Sequence, residues 1–110
     1  MAGRPLGLLQ GTVDVLILRT LAWAPMHGYG ISRWIGERSD GALAVEDAAL
    51  YQALHRLERQ RLVESAWGLS ENNRRAKFYQ LTTAGRQRLR EETATWRRYA
   101  TAVELILEPA

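Results

Sequence analysis

Two groups of side chains in this sequence are suited to binding a polyanion. One group lies within residues 73–77, and the other lies within residues 51–56. Their members are Tyr51, Gln52, His55, Arg56, Asn73, Arg74, Arg75 and Lys77. Glutamine can form paired hydrogen bonds with adenine, arginine can read guanine, and arginine and lysine neutralise phosphates. These residue types predict contacts with double-stranded DNA.

Other interpretations of these residues stay open. Tyr51 could pack against its own domain, and Arg56 and Arg59 could serve only to keep a helix surface soluble. Glu58 and Arg61 share that surface, which allows ion pairing there. The cluster at 73–77 contains no acid, so a purely solvated surface is the weaker interpretation there. His27 follows Pro25 in a loop, where we expect a structural role.

The positive charge is concentrated in the middle of the chain. The whole chain carries +3, but residues 51–90 hold nine Arg or Lys against three acids, a net of +6. Residues 1–50 carry a net −1 and residues 91–110 a net −2. A local excess of this kind is typical of a surface that binds nucleic acid.

The hydrophobic pattern predicts the elements that would position these groups. Apolar residues recur at helical spacing in three early segments, and Asp47 is a good N-cap candidate for the third helix. A β-hairpin with a basic tip follows, and Thr82 is expected to cap a long last helix. The predicted elements are helices over 12–24, 28–38 and from 47, strands over 62–67 and 77–81 around a tip at 68–76, and a helix over 83–107.

This order of elements predicts a fold that is mainly α with a small β-hairpin. The arrangement is a winged helix-turn-helix followed by a long C-terminal dimerisation helix. We expect residues 1–82 to form the DNA-binding domain and residues 83–110 the dimerisation helix. In a winged helix the third helix enters the major groove and the hairpin lies along the backbone or the minor groove.

The last helix carries a narrow seam with 4-3-4-3-4 spacing. A seam of this spacing is typical of a coiled-coil-like contact, although two of its residues are small. Its members are Leu89, Thr93, Trp96, Ala100, Val103 and Leu107. A homodimer interface is the favoured interpretation, and pairing with the first helix of the same chain is the alternative.

Composition narrows the function classes. The 110 residues are 46% hydrophobic and 25% charged, as in ordinary globular domains, and the absence of cysteine excludes disulfides and thiolate metal sites. No segment is apolar enough to suggest a signal peptide or a membrane span, so a cytoplasmic location is expected. No motif for phosphate cradling, metal binding or nucleophilic catalysis is present, which predicts a protein without cofactor or catalytic residues.

Three segments make the chain resemble the PadR family of transcriptional regulators. They are LLQGTVDVLILRTLAWAPMHGYGI at 8–31, LYQALHRLE at 50–58 and WGLSENNRRAKFYQLTTAGR at 67–86. The resemblance implies a dimeric winged-helix protein that binds palindromic promoter sites, usually as a repressor. It also implies that Tyr51 is the family's recognition-helix tyrosine and that Asn73, Arg74, Arg75 and Lys77 form its basic wing. Ala49 and Gln52 depart from the family's usual serine and proline, which leaves the DNA sequence open.

The resemblance to the short members of this family also implies a role for Trp96. In ligand-sensing members, a tryptophan at the matching place stacks on a planar aromatic compound. We therefore expect such an effector between two Trp96 rings, and the alternative is that Trp96 only fills the dimer contact. A winged helix that binds protein instead of DNA is a further alternative, and the choice between repressor and activator stays open.

Overall fold

The computed structural model describes residues 11–109, which form four helices around a small antiparallel sheet. The helices carry most of the core, and the sheet closes one side of it. The elements, in chain order, are α1 (Thr12–Trp23), β1 (Met26–His27), α2 (Gly28–Arg38), α3 (Asp47–Arg59), β2 (Val63–Leu69), β3 (Arg75–Leu81) and α4 (Thr83–Leu107). This is the predicted winged helix-turn-helix with a long final helix.

The core forms where the apolar faces of the first three helices meet. Ile17 and Leu18 of α1 are fully buried, and so is Leu54 of α3. Tyr79 of β3 closes the core from the sheet side. The helical spacing of these residues therefore determines which face of α3 is buried and leaves the opposite face exposed.

The hairpin is longer, and its tip shorter, than predicted. β2 and β3 pair from Val63 opposite Leu81 to Leu69 opposite Arg75, so the tip is reduced to residues 70–74. Polar residues of an exposed hairpin still pair their backbones, which is why side-chain polarity ended β2 too early and began β3 too late. β1 was not predicted, because two residues are too short to show any periodicity. It adds a third strand through Met26 opposite Tyr79.

Side-chain caps explain where two helices begin. The Thr82 hydroxyl accepts a hydrogen bond from the Gly85 N–H at 3.0 Å, as predicted. The His27 Nδ1 accepts from the Gly30 N–H at 3.0 Å and caps α2. Asp47 was predicted to cap α3 and does not. Glu46 occupies the cap position, and its carbonyl accepts the first helical bond, so Asp47 already lies inside the first turn.

The predicted seam of α4 divides into two parts. Leu89 is buried in the core of its own chain, and the first half of α4 packs against α1. Trp96 is 41% exposed and stacks on Tyr99 at a centroid distance of 6.0 Å. Residues 101–109 are exposed throughout. The alternative of pairing with the first helix thus holds for the first half, and the second half projects beyond the domain.

No helix in the described part of the chain is both long and apolar enough to cross a membrane.

Candidate DNA interface

A groove of about 940 Å³ lies between α3, the start of α2 and the wing formed by β2 and β3. It brings together five of the eight side chains that the sequence predicts for DNA, although the two groups are some twenty residues apart in the chain. These five are Tyr51, His55, Arg74, Arg75 and Lys77. Hydrogen-bond donors and positive charge therefore line one concave surface, to which Glu71 also contributes a carboxylate.

The exposed face of α3 carries the residues with the potential to read bases. Tyr51, Gln52 and His55 are exposed on it. Arg56 is placed differently, since its guanidinium donates a hydrogen bond to the carboxylate of Asp14 in α1. This ion pair links α3 to α1, and a DNA contact by Arg56 stays a prediction.

The cationic side chains of the wing differ in the neighbouring groups that they contact. The guanidinium of Arg75 lies 4.5 Å from the ring centroid of Trp67, which holds it in a stacked position. Lys77 lies 3.7 Å from a Glu58 carboxylate oxygen, which partly neutralises it. Arg74 and Asn73 are exposed at the tip, where Asn73 has a φ of 59°. The two arginines are thus the more available cations.

Glu58 ties the wing to α3. The Ser65 hydroxyl of β2 donates a hydrogen bond of 2.6 Å to Glu58, on the opposite carboxylate oxygen from the one that faces Lys77.

Burial, with a further contribution from the negative charge of Glu58, raises the pKa of Tyr79 above its usual value. Tyr79 therefore stays protonated at neutral pH and adds no negative charge to the groove.

The groove residues that the sequence reasoning missed include two aromatic side chains and one cation. Trp67 is 61% exposed and lines the groove on the wing side, while Tyr29 and Arg33 line it from α2. Hydrogen bonding to Glu37 raises the pKa of Arg33, which keeps its positive charge. The i, i+4 spacing of Tyr29 and Arg33 was an available signal, because such residues share one helix face. Trp67 gave no periodic signal.

Gly28 allows the Tyr51 ring to approach the start of α2. A Cβ atom at Gly28 would lie 2.7 Å from the Cζ of Tyr51 and would also meet its hydroxyl oxygen. These distances are shorter than van der Waals contact, so the glycine is required for the observed position of Tyr51. The HGYG segment thus allows a side chain of α3 to lie against the start of α2.

We expect Gly28→Ala to displace Tyr51 and to weaken DNA binding by about tenfold, the value of one charge-assisted hydrogen bond. Fluorescence anisotropy with a labelled promoter fragment measures the loss. Gly30→Ala is the matched control, because its Cβ would lie 3.4 Å from the His27 ring, near ordinary contact. In a Tyr51→Ala background the Gly28→Ala change should cost nothing further, and a full additional loss would contradict this explanation.

Comparisons with known proteins agree with this architecture. The model of the transcriptional regulator PadR-like family matches residues 17–91. A transcriptional regulator from Clostridium thermocellum is 26% identical with a TM-score of 0.81, and the match covers 90% of this chain and 93% of that one. A PadR family transcriptional regulator from Eggerthella lenta is 31% identical with a TM-score of 0.75, covering 92% and 86%.

A more distant likeness shows the fold alone. The Bacillus subtilis PadR structure in complex with operator DNA is 21% identical with a TM-score of 0.66, over 74% of this chain and 46% of that one. The family model, by contrast, matches more than half of the chain within the winged helix and the start of α4. This chain therefore belongs to the PadR-like family of transcriptional regulators and is not an enzyme.

Proposed function

We propose that this chain binds a palindromic promoter site as a homodimer and acts as a ligand-responsive repressor. The observation that carries the DNA-binding part is the groove, in which Tyr51 and His55 of α3 face Arg74 and Arg75 of the wing. A helix with exposed polar side chains fits the major groove, and flanking cations bind phosphates. Family membership supports the same assignment.

The experiment that tests this function measures binding of the protein to the DNA that lies upstream of its own gene. Anisotropy is measured against an unrelated fragment at physiological and at lower salt. Selective binding that weakens with salt is the expected result. Equal affinity for both fragments at every salt concentration would contradict an operator in that region. A reporter fused to the same promoter distinguishes repression from activation, since loss of a repressor raises expression.

Gln52 is the side chain on α3 most suited to reading a base. It is exposed, and its amide can form paired hydrogen bonds with adenine. We expect Gln52→Ala to cost roughly 1–3 kcal/mol at one base position per half-site and to change little elsewhere. Competition among operators with single base changes measures the discrimination at each base position. Discrimination that survives at every position would exclude Gln52 as a reader.

The homodimer is supported by the exposed second half of α4. Val103 and Leu107 continue the seam beyond the domain, and no other element of the described chain covers them. A second copy related by a two-fold axis would bury this apolar surface in an isologous contact. The two copies of α3 could then meet half-sites about 34 Å apart, one helical turn of DNA.

The effector is supported by a cavity of about 420 Å³ beside Trp96. Val15 of α1 and Tyr99 of α4 line it together with Trp96, and Glu92 adds a negative charge. Aromatic rings bind planar aromatic ligands by stacking, and the carboxylate favours a cationic one. We propose that a planar aromatic effector binds here and changes the separation of the two α3 helices.

A planar acridine-type cation is a suitable probe for this site. We expect it to quench the tryptophan fluorescence of the wild type more than that of Trp96→Leu, and to weaken DNA binding of the wild type alone. The remaining tryptophans serve as the internal reference for quenching. Equal quenching in both proteins, with unchanged DNA affinity, would exclude Trp96 as the effector site.

A further inference from the structure

An exposed basic and aromatic surface lies outside the DNA groove, on α1 and α2. It consists of Arg19 and Trp23 of α1 with Trp34 and Arg38 of α2, and we call these four residues the basic-aromatic patch. Trp23 is 73% exposed, and the Arg38 guanidinium lies 5.7 Å from the Trp34 ring centroid. Exposed tryptophan beside arginine is typical of the centre of a protein interface.

The end of α4 has the complementary chemistry. Val103, Ile106 and Leu107 are spaced as one helix face, and Ile106 is 83% exposed. Glu104 and Glu108 border this stripe at i, i+4 spacing. We call these five residues the acidic α4 end. It would offer an apolar stripe to the tryptophans and carboxylates to the arginines.

The two surfaces cannot meet within one chain. The first turn of α1 lies beside Trp96 and Tyr99, since these residues line one cavity with Thr12. Beyond that point α4 is exposed throughout, so its end leaves the domain at the beginning of α1. Trp23 lies at the opposite end of α1.

A second copy of the chain would bring the two surfaces together. If two α4 helices cross antiparallel at the Trp96 seam, the last turns of each run back over the other domain, along α1. Trp96 to Leu107 and Thr12 to Trp23 each span eleven residues, about 16 Å of helix. The acidic α4 end of one copy therefore reaches the far end of α1 in the other.

We infer that the acidic α4 end of one copy docks on the basic-aromatic patch of its partner. The apolar stripe covers Trp23, Glu104 faces Arg19, and Glu108 faces Arg38. Because of the two-fold symmetry, the contact forms twice in each dimer. Every substitution therefore changes the free energy of dimerisation twice over. This inference rests on the proposed homodimer and specifies what secures its outer ends.

Charge reversal and exchange test the contact. Sedimentation of the DNA-free protein at physiological salt measures the dimer dissociation constant. We expect Arg19→Glu and Glu104→Arg each to weaken the dimer by about tenfold, since two exposed ion pairs become repulsive. The double variant should return to within about threefold of the wild type, since it restores attraction. Arg61→Glu, an equal charge change outside the patch, should have little effect.

Trp23→Ala tests the apolar part of the contact, with Trp67→Ala as its matched control on the wing. Trp23→Ala should weaken the dimer at least tenfold, and Trp67→Ala should leave the dimer constant unchanged. A dimer whose constant is unchanged in both Arg19→Glu and Trp23→Ala overturns this contact and leaves the homodimer standing. A wild-type chain that stays monomeric at high concentration overturns the homodimer and this contact with it.

Discussion

Replacing Gly85 with alanine is expected to lower the free energy of unfolding by about 3 kcal/mol, the upper part of the usual range for overpacking. Gly85 is buried in the first turn of α4, and an added Cβ would overlap the carbonyl oxygen of Leu62. The Cδ2 atom of Leu81 would lie only 3.1 Å away. A backbone carbonyl cannot rotate aside as a side chain can, so the corner between β3 and α4 must open. Urea denaturation followed by circular dichroism measures the loss.

Gly36→Ala provides the control for this prediction. Gly36 also lies within a helix, but the nearest atom to its added Cβ is the Leu43 carbonyl oxygen at 4.0 Å. The substitution should leave stability unchanged or raise it by up to about 1 kcal/mol, because alanine is the better helix former. If Gly85→Ala behaved in the same way, the close approach to Leu62 would be refuted as a constraint on the fold.

Removing both wing arginines is expected to produce the largest loss of DNA affinity. Arg74→Ala with Arg75→Ala removes two exposed cations per subunit from the groove. In a dimer that engages four phosphates through them, the slope of log affinity against log salt should flatten by about 3.6. Affinity at physiological salt should fall on the order of a hundredfold. Anisotropy titrations between low and moderate salt give both quantities.

A pair of arginines on α4 separates a wing contact from an effect of net charge. Arg86→Ala with Arg90→Ala removes the same charge, and both residues are exposed without lining the groove. This variant should retain most of the wild-type salt slope. If both double variants flattened the slope equally, DNA affinity would depend on the overall charge of the protein. The assignment of phosphate contacts to the wing arginines would then be wrong.

Local signals in the sequence were sufficient for most of the fold. The bounds of α2, the Thr82 cap and the span of α4 follow from apolar periodicity and hydroxyl capping, which act within a few residues. β1 escaped prediction because its two residues become a strand only when β3 lies beside them. Both strands of the wing were predicted too short at the tip for a related reason, since backbone pairing across the hairpin does not depend on side-chain polarity.

The candidate site could be predicted in part. The residue types at 51–56 and 73–77 point to nucleic acid, and the fold brings five of those eight side chains to one groove. Pairing across the fold was not predictable, since Arg56 and Asp14 are 42 positions apart. The stacking of Arg75 on Trp67 likewise depends on strand register, which a single sequence does not specify.

The bond between Arg56 and Asp14 has a mechanical consequence. Asp14 bonds α1 to α3, and its neighbour Val15 lines the cavity beside Trp96, so one turn of α1 is both a wall of that cavity and a support of α3. A compound that moves this turn must carry α3 with it or break an ion pair. Linkage then works in both directions: bound operator would change the affinity for the compound by the same factor as the compound changes the affinity for operator.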